Sequence, residues 1–214
     1  MSIFGAEFRR VDNREHLGKP ASVAIAARTY PTTVDDLWDA VTTPDRLRRW
    51  FLPVEGELSL GGRYQLRGHA GGRIERCEAP TALDLTWEMH GGVSWLLVRI
   101  AADGAGARLT LEHVAHREQV GEAFLAQYGP GAVGVGWDLT LHGLGLHLVD
   151  PAVVVDPAAA QAWTLSADGR AFVRASGEAW GAAEAAAGAP VSDARDRAER
   201  TIAFYTGADQ PGAG

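Results

Sequence analysis

Alternation of apolar and polar residues is the main pattern between residues 21 and 116. The segment ASVAIAARTY (21–30) alternates as a strand does and stops at Pro31, which holds the preceding residue in an extended conformation. The alternation resumes after residue 55 and predicts several further antiparallel strands within 56–68, 71–80, 83–89 and 94–116. Glycine pairs and the sequence DGAG (103–106) mark turns between them.

Two short helices interrupt this strand pattern. TTVDDLWDAVTT (32–43) has helical spacing, because Val34, Leu37, Trp38 and Val41 fall on one face. A threonine precedes it as a cap, and two aspartates favour its first turn. PDRLRRWF (44–51) begins with proline, which suits the first position of a second helix.

The segment 131–149 fits two periods. It alternates in part like a strand. At a helical rotation of about 100° per residue, however, four of its large apolar residues form a stripe along one side. One antiparallel sheet has a single long apolar face to cover, and this segment is long enough to cover it, so we predict a helix and an α+β architecture. Glycines inside a helix cost about 1 kcal/mol each, so we expect a close approach or a ligand to require them. The stripe consists of Trp137, Leu141, Leu144 and Leu148, with Leu139 and Leu146 on the opposite side.

These segments resemble, in order, the signatures of the SRPBCC (START-like) superfamily. The resemblance rests on YPTTVDDLWDAVTTPDRLRRWF, LSLGGRYQLRG, GGRIERCEAPTALDLTWEM, ARLTLEHVAH and GWDLTLHGLGLHL, and covers roughly residues 20–149. The branch it resembles is the bacterial one named for the activator of the heat-shock chaperone ATPase. The resemblance implies a helix-grip fold, in which a curved antiparallel sheet wraps around a long helix and leaves an apolar cavity. Members bind lipids, hormones or polyketides, and some catalyse cyclisation or hydrolysis, without a universal catalytic triad.

The chain continues well beyond this region. We predict a START-like domain over 1–149, a helical extension packed on it over 150–207, and a disordered tail over 208–214. Helices are indicated at 156–165, 168–188 and 192–207, with caps at Asp156, Asp168 and Ser192. An alanine-rich linker is the alternative, but this stretch is too aromatic for a solvated tail. We expect the extension to lie on Leu139 and Leu146 or to form the surface of a homodimer.

Composition narrows the range of functions. The 214 residues carry a formal net charge of −7 and a pI near 5.5, which disfavours nucleic acid as a partner. The single cysteine, Cys77, forms no intramolecular disulfide and is expected to be a small buried residue. Neither a leader peptide nor an apolar run of membrane-spanning length is recognisable in the sequence, which predicts a cytoplasmic protein.

Motifs for metal or cofactor chemistry are weak. GPGAVG (129–134) matches the dinucleotide fingerprint formally, but a helical segment precedes it where a strand is required. His113 and His116 point to opposite faces of a strand, and His142 and His147 are about 140° apart on a helix. The sequence therefore predicts no metal site and no cofactor.

His113 is the best candidate for acid or base catalysis. It follows Leu109 and Leu111 on an apolar strand face, where an imidazole orients a ligand, transfers a proton, or is simply a core residue with one hydrogen bond. Tryptophans on the sheet and the helix are candidates for an aromatic cavity wall, with core packing as the alternative. The predicted cavity residues are Trp87, Trp95, His113, Phe124, Tyr128, Trp137, Leu141 and Leu144, with Phe124 and Tyr128 as the gate.

Three functions follow from these observations. The first is binding of a small hydrophobic or aromatic molecule between sheet and helix, with residues 117–136 as the entrance. The second is a polyketide cyclase-like or hydrolytic enzyme that uses the same cavity and His113. The third is a chaperone-interaction module, which the resemblance alone suggests.

Overall fold

The computed structural model describes residues 5–120, 122–152 and 154–208. Along the described chain, two strands are followed by two short helices, then by six strands and finally by six helices. The strands are β1 Phe8–His16, β2 Lys19–Tyr30, β3 Val54–Gly56, β4 Arg63–Leu66, β5 Gly71–Glu78, β6 Ala82–Met89, β7 Gly92–Asp103 and β8 Gly106–His116. The helices are α1 Val34–Thr42, α2 Pro44–Trp50, α3 Arg117–Val120, α4 Glu122–Tyr128, α5 Gly131–Val149, α6 Pro157–Thr164, α7 Ala167–Ala186 and α8 Val191–Thr206.

The described strands form one curved antiparallel sheet in the order β1-β2-β8-β7-β6-β5-β4-β3. Strands β1 and β2 pair as one hairpin, β3 to β8 pair each with the next along the chain, and the pairing of β2 with β8 joins the two groups. The long helix α5 packs against the inner face of this sheet. The predicted α+β helix-grip fold is thereby confirmed.

The predicted stripe of α5 faces the core. Trp137, Leu141 and Leu144 are buried, and Leu148 is half-buried in the same cluster. Because α5 is apolar around most of its circumference, it needs partners on more than one side. The sheet covers one side, and α7 covers another through the fully buried Trp180.

The glycines of α5 allow this close packing. A Cβ atom at Gly134 would lie 2.3 Å from the ring of Trp180, and one at Gly143 would lie 2.9 Å from the backbone oxygen of Trp50. Neither position has room for a larger residue unless its neighbour moves. The helix-propensity cost of these two glycines is therefore offset by contacts with α7 and α2.

The extension is helical, as predicted, and it packs on α5, but it does not cover Leu146 as expected. Leu139 is half-buried, whereas Leu146 stays 38% exposed. The reason is that α7 crosses the first half of α5 near Gly134, and Trp163 of α6 stacks on His142 at a centroid distance of 5.0 Å. The last turn of α5, which carries Leu146, lies beyond these contacts.

Several boundaries differ from those predicted. The cap of α7 is Ser166, whose hydroxyl accepts from the backbone of Gly169, and not Asp168. Helix α8 begins at Val191 without a side-chain cap, so Ser192 lies inside it, whereas Asp156 caps α6 as expected. The division into a domain over 1–149 and an extension over 150–207 stays a prediction. The predicted tail over 208–214 lies outside the described residues, apart from Ala208.

The strand β1 was not predicted. Its sequence FRRVDNREH carries charged residues on both faces, and Val11 is its one buried hydrophobic residue, so alternation there is hard to recognise. The segment 56–68 also contains less strand than its pattern indicates, because residues 57–62 form a turn region between β3 and β4. Among the described helices, none has the length and hydropathy needed to cross a bilayer.

Candidate functional site

A cavity of about 360 Å³ lies between the inner face of the sheet and α5. We call it the central cavity. Helices α1 and α2 complete its wall. Both helices are amphipathic, so they turn their apolar faces toward the interior and their polar faces toward solvent. The wall is largely aliphatic and aromatic, with Tyr64, Leu66, Ile74, Leu83, Leu85, Trp87, Leu96, Val98, Leu109 and Leu111 from strands, Trp38, Val41, Leu47, Trp50, Trp137, Leu141 and Leu144 from helices, and Phe51 directly after α2.

The three hydroxyl groups that line this cavity already donate to partners within the protein. The hydroxyl of Thr42 donates to the backbone oxygen of Trp38 at 2.7 Å, and that of Thr140 donates to the backbone oxygen of Gly136 at 2.9 Å. The Tyr64 hydroxyl donates to a strand carbonyl at 2.8 Å. None of the described residues that line the cavity carries a formal charge. Such a wall favours neutral, apolar ligands.

A second cleft adjoins the central cavity. This aromatic cleft has a volume of about 280 Å³ and shares Phe51, Trp87, Trp137 and Thr140 with the cavity as a common wall. Its other side comes from α4 and α8. The additional lining residues are His69, Met89, His113, Phe124, Tyr128, Ala132, Val133, Gly136, Phe204 and Tyr205.

His113 is held in a chain of hydrogen bonds at the base of the aromatic cleft. The indole Nε1 of Trp137 donates to its Nδ1 at 2.9 Å, and its Nε2 lies 2.8 Å from the hydroxyl of Ser94. An indole nitrogen only donates, so Nδ1 carries no proton and Nε2 donates to Ser94. Ser94 in turn donates to the backbone oxygen of Trp87 at 3.1 Å. Both ring nitrogens are therefore engaged in structural contacts.

Burial also keeps this imidazole neutral. Desolvation lowers the pKa of His113 to about 4, and no carboxylate counteracts it. A general base must reach a substrate proton with a free nitrogen, and His113 has none in this arrangement. The structure therefore favours the interpretation of His113 as a core histidine over that of a catalytic one.

This pKa predicts a dependence of stability on pH. Since the folded pKa lies below the unfolded value of about 6.5, the contribution of neutral His113 is present above pH 6.5 and is lost as the pH falls toward 4. From pH 7 to pH 5, His113 should reduce the free energy of unfolding by roughly 1–2 kcal/mol. Denaturant titration of the wild type and of His113→Gln at both pH values measures this contribution.

Glutamine is the matched control because it accepts and donates as the imidazole does but does not titrate in this range. His16, His69 and His147, whose pKa values burial also lowers, titrate in both proteins and cancel in the comparison. An equal loss of stability in wild type and variant would show that His113 is protonated as easily in the folded state as in the unfolded one.

The predicted site residues are divided between three places. Trp87, Trp137, Leu141 and Leu144 line the central cavity. His113, Phe124 and Tyr128 line the aromatic cleft, where Phe124 is 40% exposed. Their part in ligand binding stays a prediction.

Trp95 lies outside both spaces, so its assignment to the cavity needs correction. On β7, Leu96 and Val98 point inward, and the strand alternation sends Trp95 to the outer face. There it packs with Val23 and Ile25 of β2 and Val114 of β8, and its ring lies 4.7 Å from that of His116. Cys77 was also misjudged, because it is exposed and contributes to the rim of the cavity.

Sequence reasoning missed the contribution of α1 and α2 to the site. Trp38, Trp50 and Phe51 line the central cavity, and the indole of Trp50 donates to the backbone oxygen of Ala40 at 2.9 Å. The apolar faces of these helices were recognisable as core-facing. Three aromatic residues in, and directly after, two adjacent short helices were the signal that this face lines a cavity.

No metal centre is indicated. Within residues 5–120, 122–152 and 154–208, no group of three or more histidine, cysteine or acidic residues is placed to hold a metal ion. The dinucleotide motif of residues 129–134 is the entry to α5, and α4 precedes it, so it lacks the preceding strand that a dinucleotide site requires.

Comparison with known proteins agrees with this architecture. The model of the family described as Activator of Hsp90 ATPase homolog 1-like protein matches residues 31–148. The crystal structure of CalU16 from Micromonospora echinospora is 31% identical, with a TM-score of 0.64, and the match covers 82% of this chain and 96% of that one. Its solution NMR structure gives a TM-score of 0.68, covering 86% of this chain and 97% of that one.

A more distant structure shares the fold. Protein MLL2253 from Mesorhizobium loti is 18% identical with a TM-score of 0.52, and the match covers 62% of this chain and 99% of that chain. No curated protein matches the sequence significantly.

Proposed function

This chain belongs to the Activator of Hsp90 ATPase homolog 1-like family of the SRPBCC superfamily, and we propose that it binds a small hydrophobic or aromatic molecule in the central cavity. One observation carries the proposal, namely a space of about 360 Å³ in the middle of the fold with an uncharged wall. A cavity of about 150 Å³ already holds benzene, so this one has room for more than one ring.

The chemistry of the wall supports a neutral ligand. Transfer of apolar surface from water into such a cavity contributes about 25 cal/mol per Å². The hydroxyls of Thr42, Tyr64 and Thr140 donate to backbone oxygens, so each offers a ligand only its acceptor lone pairs. A charged ligand would lose its hydration without gaining an ion pair.

The same geometry argues against the enzymatic alternative. A polyketide cyclase-like or hydrolytic reaction needs an acid, a base or a nucleophile directed at the substrate. His113, the best candidate, uses both nitrogens for Trp137 and Ser94. Among the described residues of the central cavity wall, none is a histidine or carries a carboxylate.

The remaining hypotheses stay predictions. The description of the family is the one observation that favours a chaperone-interaction role. Formation of a homodimer and location in the cytoplasm likewise stay predictions.

Adding a bulky side chain inside the cavity should weaken binding. Leu96 on β7 lines the cavity, and Leu97 is its neighbour on the outer face. We expect Leu96→Phe to weaken binding of naphthalene, measured by isothermal titration calorimetry, by roughly 10-fold or more, because the new ring occupies the space that the ligand needs.

Leu97→Phe is the matched control, since it adds the same volume to the same strand outside the cavity. Its affinity should equal that of the wild type. Circular dichroism and thermal unfolding establish that both variants are folded. Equal affinities of the two variants, or an absence of naphthalene binding to the wild type, would contradict a ligand site in the central cavity.

A further inference from the structure

The aromatic cleft lies partly outside the region that the family model matches. Residues 31–148 supply Phe51, Trp87 and Trp137, whereas Phe204 and Tyr205 belong to α8 at residues 191–206. One side of the cleft is therefore built by the helical extension of this chain.

Helix α8 is anchored over the cleft by specific contacts. The hydroxyl of Tyr205 donates to the backbone oxygen of Ala132 at 2.7 Å, and burial raises the pKa of this tyrosine to about 12, so that it stays a donor. Gly136 makes room for it, because a Cβ atom there would lie 3.0 Å from the tyrosine hydroxyl. Arg200 donates to the backbone oxygen of Gln127 at 2.6 Å. The position of the aromatic side chains of α8 is thus defined by hydrogen bonds to both α4 and α5.

Two rows of aromatic rings line the cleft. On one side, Tyr128 lies 5.7 Å from Phe204, which lies 5.3 Å from Tyr205. On the other side, Trp87 lies 5.3 Å from Trp137 in an edge-to-face arrangement. Aromatic rings on both sides of a cleft offer packing partners to a further ring that enters between them. Within the described lining there is no carboxylate, ammonium or guanidinium group, so the inserted ring should be neutral.

The common wall relates the cleft to the central cavity. Trp137 separates the two spaces, and its hydrogen bond to Nδ1 of His113 fixes the orientation of the indole. A ligand that occupied both spaces would therefore pass the edge of a fixed ring instead of displacing it. This arrangement fits two linked ring systems better than one continuous fused system.

We propose that the aromatic cleft is a second subsite of the ligand, so that the ligand class is neutral molecules with two linked ring systems, one in each space. The proposal rests on the proposed function of the central cavity. It assigns to Phe204 and Tyr205 of the extension a role in determining which ligands bind.

The test compares two probes on the full chain. N-phenylnaphthylamine has two linked ring systems, and naphthalene has one. Phe204 is 57% exposed, so Phe204→Ala removes a cleft wall without emptying the core. We expect the affinity for N-phenylnaphthylamine, followed by its fluorescence, to fall roughly 5- to 10-fold, and the affinity for naphthalene, followed by calorimetry, to stay unchanged.

Val191→Ala on the same helix is the matched control, because it removes another exposed apolar side chain outside the cleft. It should leave both affinities unchanged. If Phe204→Ala leaves the binding of N-phenylnaphthylamine unchanged while Leu96→Phe weakens it, the second subsite is refuted and the central cavity stands. If Phe204→Ala weakens both probes equally, the two spaces do not bind separate rings. If neither probe binds to the wild type, both proposals fall.

Discussion

Replacing Asp138 by alanine is expected to lower the free energy of unfolding by roughly 3–5 kcal/mol, the typical cost of removing one partner from a buried ion pair. Asp138 lies in α5 and its side chain is fully buried. Its Oδ1 accepts from the backbone nitrogen of Ala6 at 2.8 Å, and its Oδ2 accepts from Nε of Arg9 at 2.8 Å. One carboxylate thus connects the central helix to β1 and the residues before it.

The same carboxylate also connects α5 to the extension. The hydroxyl of Ser176 and the indole of Trp180, both on α7, donate to Oδ2, the latter at 3.2 Å. Removing the carboxylate leaves four donors without their acceptor, including the Arg9 guanidinium, whose side chain is only 16% exposed. The loss therefore includes the desolvation penalty of each donor in addition to the lost bonds.

Denaturant titration measures the loss of stability. Two further variants show whether the loss comes from the buried carboxylate. Asp138→Asn keeps the shape, but an amide that offers its oxygen to the donors at Oδ2 must direct its NH₂ group at the backbone N–H of Ala6, so we expect an intermediate loss. Asp196→Ala removes an exposed carboxylate of α8 and should leave the stability unchanged. A stability of Asp138→Ala close to that of the wild type would mean that β1, α5 and α7 do not depend on this contact.

The helix α5 illustrates how far sequence patterns predict this fold. The spacing of its apolar residues predicts the helix and its core-facing stripe, because periodicity reflects one dominant contact surface. Patterns do not reveal which element approaches a glycine. Gly134 is required by Trp180, which follows it by 46 positions, and this contact depends on the tertiary path of α7. The structure therefore supplies a reason for the glycine that local periodicity lacks.

Part of the candidate site was also predictable from residue spacing. Alternation along β6 places Trp87 on the inner face, and helical spacing places Trp137 there too. The error at Trp95 arose because β7 has apolar residues on both faces, so alternation does not indicate which of Trp95 and Leu96 points inward. The partners of His113 were not predictable, since Ser94 and Trp137 are 19 and 24 positions away from it.

Trp137→Ala should destabilise the fold by about 3–5 kcal/mol, because a buried tryptophan is replaced by a cavity. The residue is 7% exposed, and its ring packs edge-to-face on Trp87 at a centroid distance of 5.3 Å. Loss of this ring also removes part of the wall that the central cavity and the aromatic cleft share. Thermal and denaturant unfolding measure the loss of stability. An unchanged midpoint would contradict the placement of Trp137 in the core.

A double-mutant cycle separates the packing of Trp137 from its hydrogen bond. Trp137→Phe keeps an aromatic ring but leaves Nδ1 of His113 without its donor, which should cost about 1–3 kcal/mol beyond the lost ring area. His113→Leu in the same protein removes the unsatisfied acceptor, and replacement of both partners by apolar groups is nearly neutral for the bond itself. We therefore expect the double variant to lose about 1 kcal/mol less stability than the sum of the two single losses. Additive losses would mean that the indole contributes through packing alone and that its hydrogen bond does not hold the wall between the two spaces.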